Sequence, residues 1–171
     1  MRRSAAIAAA SVAAGFLGAG CSIESVVNRV GDAERPAVSE AAAILHRESF
    51  VVDLHADSLL WGRDLRRRSD DGHVDLPRLR EGGVAIQFFT AVTRVPMSID
   101  IERTDERWPD LVTLLALVHG WPYRSLSSRF ERVLFQAERL ERLAAADGRV
   151  VLVRSREDLG ELERRHLDDP G

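Results

Sequence analysis

Apolar positions along the chain follow two rhythms. In residues 50–55, 84–92 and 150–153 they run almost unbroken, the pattern of strands, and 84–92 has the β-branched and aromatic content of one buried on both faces of a parallel sheet. In residues 37–47, 108–119 and 126–146 the composition is helical, and Phe130, Val133, Leu134, Ala137, Leu140 and Leu143 recur at helical spacing. Punctuation agrees with this division. Pro36 can open the first helix, Gly82 and Gly83 stop a short one over 76–81, and Asp147 with Gly148 ends the long one. Ser155, with Asp158 three residues on, resembles a capped helix start. The predicted order is α-β-α-β-α-α-β-α. Strands separated by helices predict an α/β fold with a parallel sheet, whose ligands gather at the C-terminal strand ends.

The first 21 residues stand apart. Arg2 and Arg3 precede a small-residue apolar run over 5–20, the charged start and short apolar core of a secretory signal. The run is short and weakly hydrophobic beside the about 20 apolar residues of a membrane span, so cleavage is the expectation. Leu17-Gly18-Ala19-Gly20-Cys21 resembles a bacterial lipoprotein cleavage site, although Leu17 lies four rather than three residues before the Cys. Export is therefore expected, either as a cell-membrane-anchored lipoprotein attached through Cys21 or as a secreted or periplasmic protein. Residues 22–35 mix polar and small types and read as a linker, leaving 36–171 as the folded portion.

Composition narrows the chemistry. In 171 residues the net charge is only −3 with both signs interspersed, so there is no basic field to neutralise phosphates and nucleic acid is not an expected partner. Cys21 is the only cysteine, which rules out an internal disulfide and a thiolate zinc cluster. A metal would have to be held by His, Asp and Glu.

Val51-Val52-Asp53-Leu54-His55-Ala56-Asp57 carries the strongest chemical signal. Alternation along a strand puts His55 and Asp57 on one face, at the C-terminal end where a (β/α) barrel has its active site. An imidazole and a carboxylate so placed can share one ion, and zinc suits both donors while leaving a position for water. A bare His-x-Asp triplet is weak evidence, however, and its context adds the rest.

Asp53-Leu54-His55-Ala56-Asp57-Ser58-Leu59-Leu60-Trp61, followed by Leu76-Pro77-Arg78-Leu79-Arg80-Glu81-Gly82-Gly83-Val84-Ala85-Ile86-Gln87-Phe88-Phe89, resembles the opening of the membrane dipeptidase (renal dipeptidase) family. The match spans residues 50–92. It implies an incomplete (β/α)8 TIM-type barrel of the metal-dependent hydrolase superfamily. It also implies two Zn2+ ions bridged by a glutamate, and hydrolysis of dipeptides through a metal-activated water. By that resemblance His55 and Asp57 ligate one zinc, and Asp53 is an orienting partner, with a solvated or capping carboxylate as its alternative role. The family's bridging Glu and two later His have no counterpart among these residues, and a barrel of this kind takes about 250 residues. The chain is therefore expected to be the N-terminal part of such an enzyme and inactive alone. An exported, non-catalytic remnant with a binding role is the competing reading. A related amidohydrolase is a third, but the first strand there usually carries His-x-His, and Asp57 counts against it.

Other candidates read more plainly. His73 suits a loop or capping role, His46 and His166 a helix surface, and His119 a helix terminus beside Gly120. Trp108, Trp121 and Tyr123 could line a pocket or anchor the core. Gln87 is either a marker of a barrel interior or a satisfied buried amide. An unfinished sheet edge would favour homo-oligomer formation.

Overall fold

The computed structural model describes residues 23–31, 34, 36–97, 102 and 107–168, with side chains up to residue 165. The signal segment and Cys21 lie outside the described residues, as does the side chain of His166. The chain divides into two compact units, Met1–Arg35 with Ser69–His73, and Pro36–Arg68 with Val74–Gly171.

In the smaller unit α1 (Ile23–Val27) is followed by a bridge between Arg29 and Asp71. Val30 N donates to Asp70 O at 3.0 Å and Gly72 N to Asn28 O at 2.7 Å. Within the stretch expected to be a linker, Asn28, Arg29 and Val30 therefore pair with the 70–72 backbone, helped by Gly72 at φ 75°, a conformation that glycine reaches without a Cβ penalty.

The larger unit opens with α2 (Glu40–Glu48), which starts where the Ser39 hydroxyl accepts from Ala42 N at 3.3 Å. Next come β1 (Val51–Ala56), a 3-10 turn (Ser58–Leu60), α3 (Leu76–Glu81) and β2 (Val84–Phe89). α3 begins at Asp75, whose carboxylate accepts from Arg78 N at 3.0 Å, and it closes at Gly82 and Gly83, the latter at φ 59°. β1 and β2 pair in parallel, with Val51 opposite Val84, Asp53 opposite Gln87 and Ala56 opposite Phe89. This is the strand-helix-strand unit that the apolar rhythm predicts.

Beyond β2 the chain is helical, with α4 (Leu111–Val118), a 3-10 turn (Tyr123–Leu126), α5 (Arg129–Ala146) and α6 (Arg156–Asp168). Helix starts fall later than the apolar pattern suggests because the capping side chains sit inside it: Asp110 accepts from Val112 N at 3.0 Å, and Ser128 from Glu131 N at 3.3 Å. The core is small. Leu59, Leu65, Leu76 and Leu143 are buried together, with Leu79, Phe89, Leu140 and Val150 packed against them.

Four expectations need correction. First, β2 ends at Phe89 rather than at residue 92. Gln136 takes over there, donating to Val92 O at 3.0 Å and accepting from Val92 N at 3.1 Å, so a side-chain amide does what a neighbouring strand would do. Second, residues 150–153 form no ladder with the other described residues. Val150 packs on the core, and Val151 and Val153 stay exposed. Third, the two strands are not buried on both faces, since Leu54 is 70% and Phe88 52% exposed. Among the described residues the sheet has two strands. Fourth, the first half of α5 turns its apolar positions outward: Phe130, Val133 and Leu134 are exposed, whereas Arg132 and Gln136 are buried, and of the apolar series Leu140 and Leu143 pack in the core.

That inversion has a physical reason, because every N–H of the Arg132 guanidinium finds an acceptor. Nε donates to Ser125 O (2.7 Å), Nη1 to Thr93 O and the Asp110 carboxylate, and Nη2 to Thr113 Oγ1 (2.7 Å) and Leu126 O (3.1 Å). Burial raises the Asp110 pKa, but hydrogen bonds from Arg132, Val95 N and Val112 N outweigh it and hold the carboxyl below its ordinary value. α5 therefore ties down the segment leaving β2 through polar contacts.

Candidate metal centre

β1 delivers its C-terminal residues to an exposed end of the sheet. His55 still belongs to the strand, whereas Asp57 has left it, at φ −90° and ψ 20°, to cap the 3-10 turn, with Leu60 N donating to Asp57 O at 3.0 Å. Ser58, Leu59 and Leu60 are buried directly behind. The position of Asp57 is therefore set by core packing on one side and by β2 on the other.

The structure brings His55 and Asp57 together, with imidazole Nε2 3.3 Å from carboxylate Oδ1. Their side chains are 69% and 47% exposed, so both can reach a ligand from solvent. Donors about 2.0–2.1 Å from a tetrahedral zinc lie about 3.3–3.4 Å from each other, so the pair fits adjacent corners of one coordination shell. The juxtaposition does not arise by strand alternation alone. It comes from a strand residue and a turn residue that bends back toward it.

Asp53 does something else. Its Oδ1 accepts from His55 N at 3.0 Å and reaches neither the imidazole nor the Asp57 carboxylate. It fixes the backbone on which His55 sits, the capping alternative raised above. Gln87, opposite Asp53 in the ladder, donates to Asp53 O at 3.4 Å and Phe88 O at 3.2 Å, while its Oε1 is buried without a partner among the described residues.

Thr90 is the residue that sequence reading overlooked. Its N–H donates to Ala56 O at 3.0 Å, and its hydroxyl lies against the Asp57 carboxylate and 3.3 Å from Ala56 O. A signal existed: Thr90 is the hydroxyl residue just past Phe88-Phe89, and parallel pairing of the two strands puts it beside Asp57. The oxygen that Thr90 meets is Oδ1, the one that faces His55 Nε2, so an ion between the two ligands would share that atom with the Thr90 hydroxyl through its second lone pair.

The other candidates separate from this pair. His46 Nε2 lies 2.9 Å from Gly82 O, bracing α2 against the turn before β2. His119 caps α4, its N–H donating to Leu115 O at 2.8 Å, with Gly120 at φ 62° turning the chain. Trp121 is buried and Tyr123 is 85% exposed, while Trp108 contributes its carbonyl to Arg94. His73 is exposed in the smaller unit. Among the described residues no third His, Cys, Asp or Glu joins His55 and Asp57, and no helix is long and apolar enough to cross a membrane. Comparison with protein-family models, curated proteins and solved structures returns no match for this chain.

Proposed function

We propose that the chain is the N-terminal part of a zinc-dependent dipeptidase of the membrane dipeptidase type, exported through residues 1–21 and lipid-anchored at Cys21. What supports the reading is the His55–Asp57 pair, 3.3 Å apart and open to solvent at the end of β1. These two residues hold one edge of the ion, Thr90 keeps the Asp57 carboxylate turned, and Asp53 holds the strand end in place. When bound, zinc supplies a Lewis acid for the scissile carbonyl and acidifies water. The dipeptide approaches from the solvent side, where both ligand side chains are exposed.

A catalytic zinc normally takes three protein ligands, so the 171-residue chain alone is expected to bind zinc weakly and to turn over no dipeptide. Calorimetric titration with zinc tests the pair itself. One weak site is expected, absent from both His55→Ala and Asp57→Ala, and an unaltered isotherm in either variant removes the basis for the assignment. Cys21→Ala tests the anchor separately. Loss of the chain from the membrane fraction is the expected result, and retention there rules lipidation out.

A further inference from the structure

α4 is apolar nearly all round. Its one polar residue, Thr113, has its hydroxyl committed to the Asp110 carboxylate and to Arg132 Nη2. Val112, Leu115 and Ala116 are buried, whereas Leu114, Leu117 and Val118, at the spacing of a single helix face, lie on the opposite side and are exposed. A helix of this composition belongs where both sides are covered, and here one side meets solvent. Apolar side chains grouped in that way mark a docking surface.

The elements that follow α4 indicate what covers it. Arg132 fastens them beside the helix, since one guanidinium reaches Asp110 and Thr113 at the start of α4 and the carbonyls of Ser125 and Leu126 in the 3-10 turn. Tyr123 in that turn and Phe130 in the first turn of α5 are exposed as well. Residues 111–130 contain no Asp or Glu, in a chain where 27 of 171 residues are acidic, and their formal charges are Arg124 and Arg129. Both arginines are exposed, and neither side chain has a partner among the described residues. The acids that bound the run do not offset them: Asp110 is taken by Arg132, and Glu131 is half-buried.

Apolar side chains alone would suit a second copy of the chain. Two uncompensated guanidiniums beside them, with no acid in the run, select a partner that is negatively charged at its surface and apolar beneath. A bilayer with anionic headgroups has that layering.

We propose that α4 and the turn after it dock on an anionic lipid surface, with Leu114, Leu117 and Val118 entering the interface and Arg124 and Arg129 meeting headgroup phosphates. The contact requires neither the metal centre nor a lipid on Cys21.

The test uses the full chain with Cys21→Ser and a nitrobenzoxadiazole label on either Leu117→Cys or Leu45→Cys, two positions that are 65% and 68% exposed, the second of them on α2. Vesicles of phosphatidylcholine and phosphatidylglycerol in equal parts, or of phosphatidylcholine alone, are titrated in. A saturable blue shift of the label is expected at position 117 with the mixed vesicles, and none at position 45. Arg124→Gln and Arg129→Gln are each expected to weaken the binding about fivefold, and raising the salt from about 50 to about 500 mM to weaken it further. Equal shifts at the two positions would mean that another segment holds the chain to the vesicle. A shift as large with phosphatidylcholine alone would leave the arginines no part. A shift at 117 that grows with protein concentration in the absence of vesicles would give the face to a second copy. Each of these results, like the absence of any shift, overturns the proposal.

Discussion

Arg132 and Asp57 each make a close polar side-chain pair in the larger unit, but their surroundings have little in common. The Arg132 side chain is 3% exposed, and all its N–H groups are committed to one carboxylate, one hydroxyl and three carbonyls. The Asp57 side chain is 47% exposed and touches the Thr90 hydroxyl and an imidazole that is 69% exposed and has no other partner among the described residues. Burial with full satisfaction makes a fastener, because any competitor for those hydrogen bonds must first displace the protein's own groups. Exposure with lone pairs to spare makes a site, because a ligand can be added without breaking anything.

The sharpest way to break this comparison is to remove the fastener. Arg132→Met keeps the length of the side chain but leaves Asp110 and the carbonyls of Thr93, Ser125 and Leu126 without their donor. A loss of about 3–5 kcal/mol is expected in urea unfolding, the usual cost of stripping one partner from a buried charge pair. A cost below about 1 kcal/mol would mean that water already satisfies these groups, and the contrast with Asp57 would vanish.

Gln136→Leu is the milder version. It keeps the volume and deletes the amide that serves both Val92 N and Val92 O, for an expected cost of about 1–3 kcal/mol. Faster hydrogen exchange at Val92 would localise the damage.

Acid probes the same fastener through Asp110. Its pKa is held below the ordinary value in the folded state, so the associated stability is present above the unfolded carboxylate pKa of about 3.9 and is lost as pH falls through the folded one. The wild-type unfolding midpoint should therefore drop as pH is lowered from about 5 toward 2, and Asp110→Asn should flatten that slope. Parallel curves for the two proteins would place the acid sensitivity elsewhere.

These expectations also explain what could be read in the sequence. The strand-helix-strand unit was legible because each of its parts has a local cause: the apolar runs at 51–56 and 84–89, the Asp75 cap, and the Gly82-Gly83 stop. The inward face of the first half of α5 was not legible, because its buried positions there are Arg132 and Gln136, and hydrophobic patterning cannot foresee a charge whose partners lie as far off as Thr93 and Asp110. Equally non-local is the pairing of Gln136 with Val92, three residues beyond the end of β2 at Phe89. At the sheet end His55 and Asp57 were visible as residue types, but Thr90 entered only through strand register, which depends on where the two strands begin to pair. Asp53 stood out because it shares a strand face with His55 and Asp57, and which backbone N–H its carboxylate accepts from, that of His55, emerges only from the structure.

The smallest expected effect is the most discriminating. His55→Ala and Asp57→Ala should each leave the unfolding free energy within about 0.5 kcal/mol of wild type, because an exposed ion pair contributes little. Zinc should separate the proteins that metal-free unfolding cannot. A ligand that binds only the folded state stabilises by RT ln(1 + [L]/Kd), so zinc at about 100 times its Kd adds about 2.7 kcal/mol to the wild type and nothing to either variant. If the alanine variants are instead destabilised as strongly as Arg132→Met, the pair at the end of β1 is a second fastener and its exposure has no functional meaning. If zinc stabilises wild type and variants alike, the ion binds elsewhere on the chain, and the chemistry attributed to His55 and Asp57 must be reassigned.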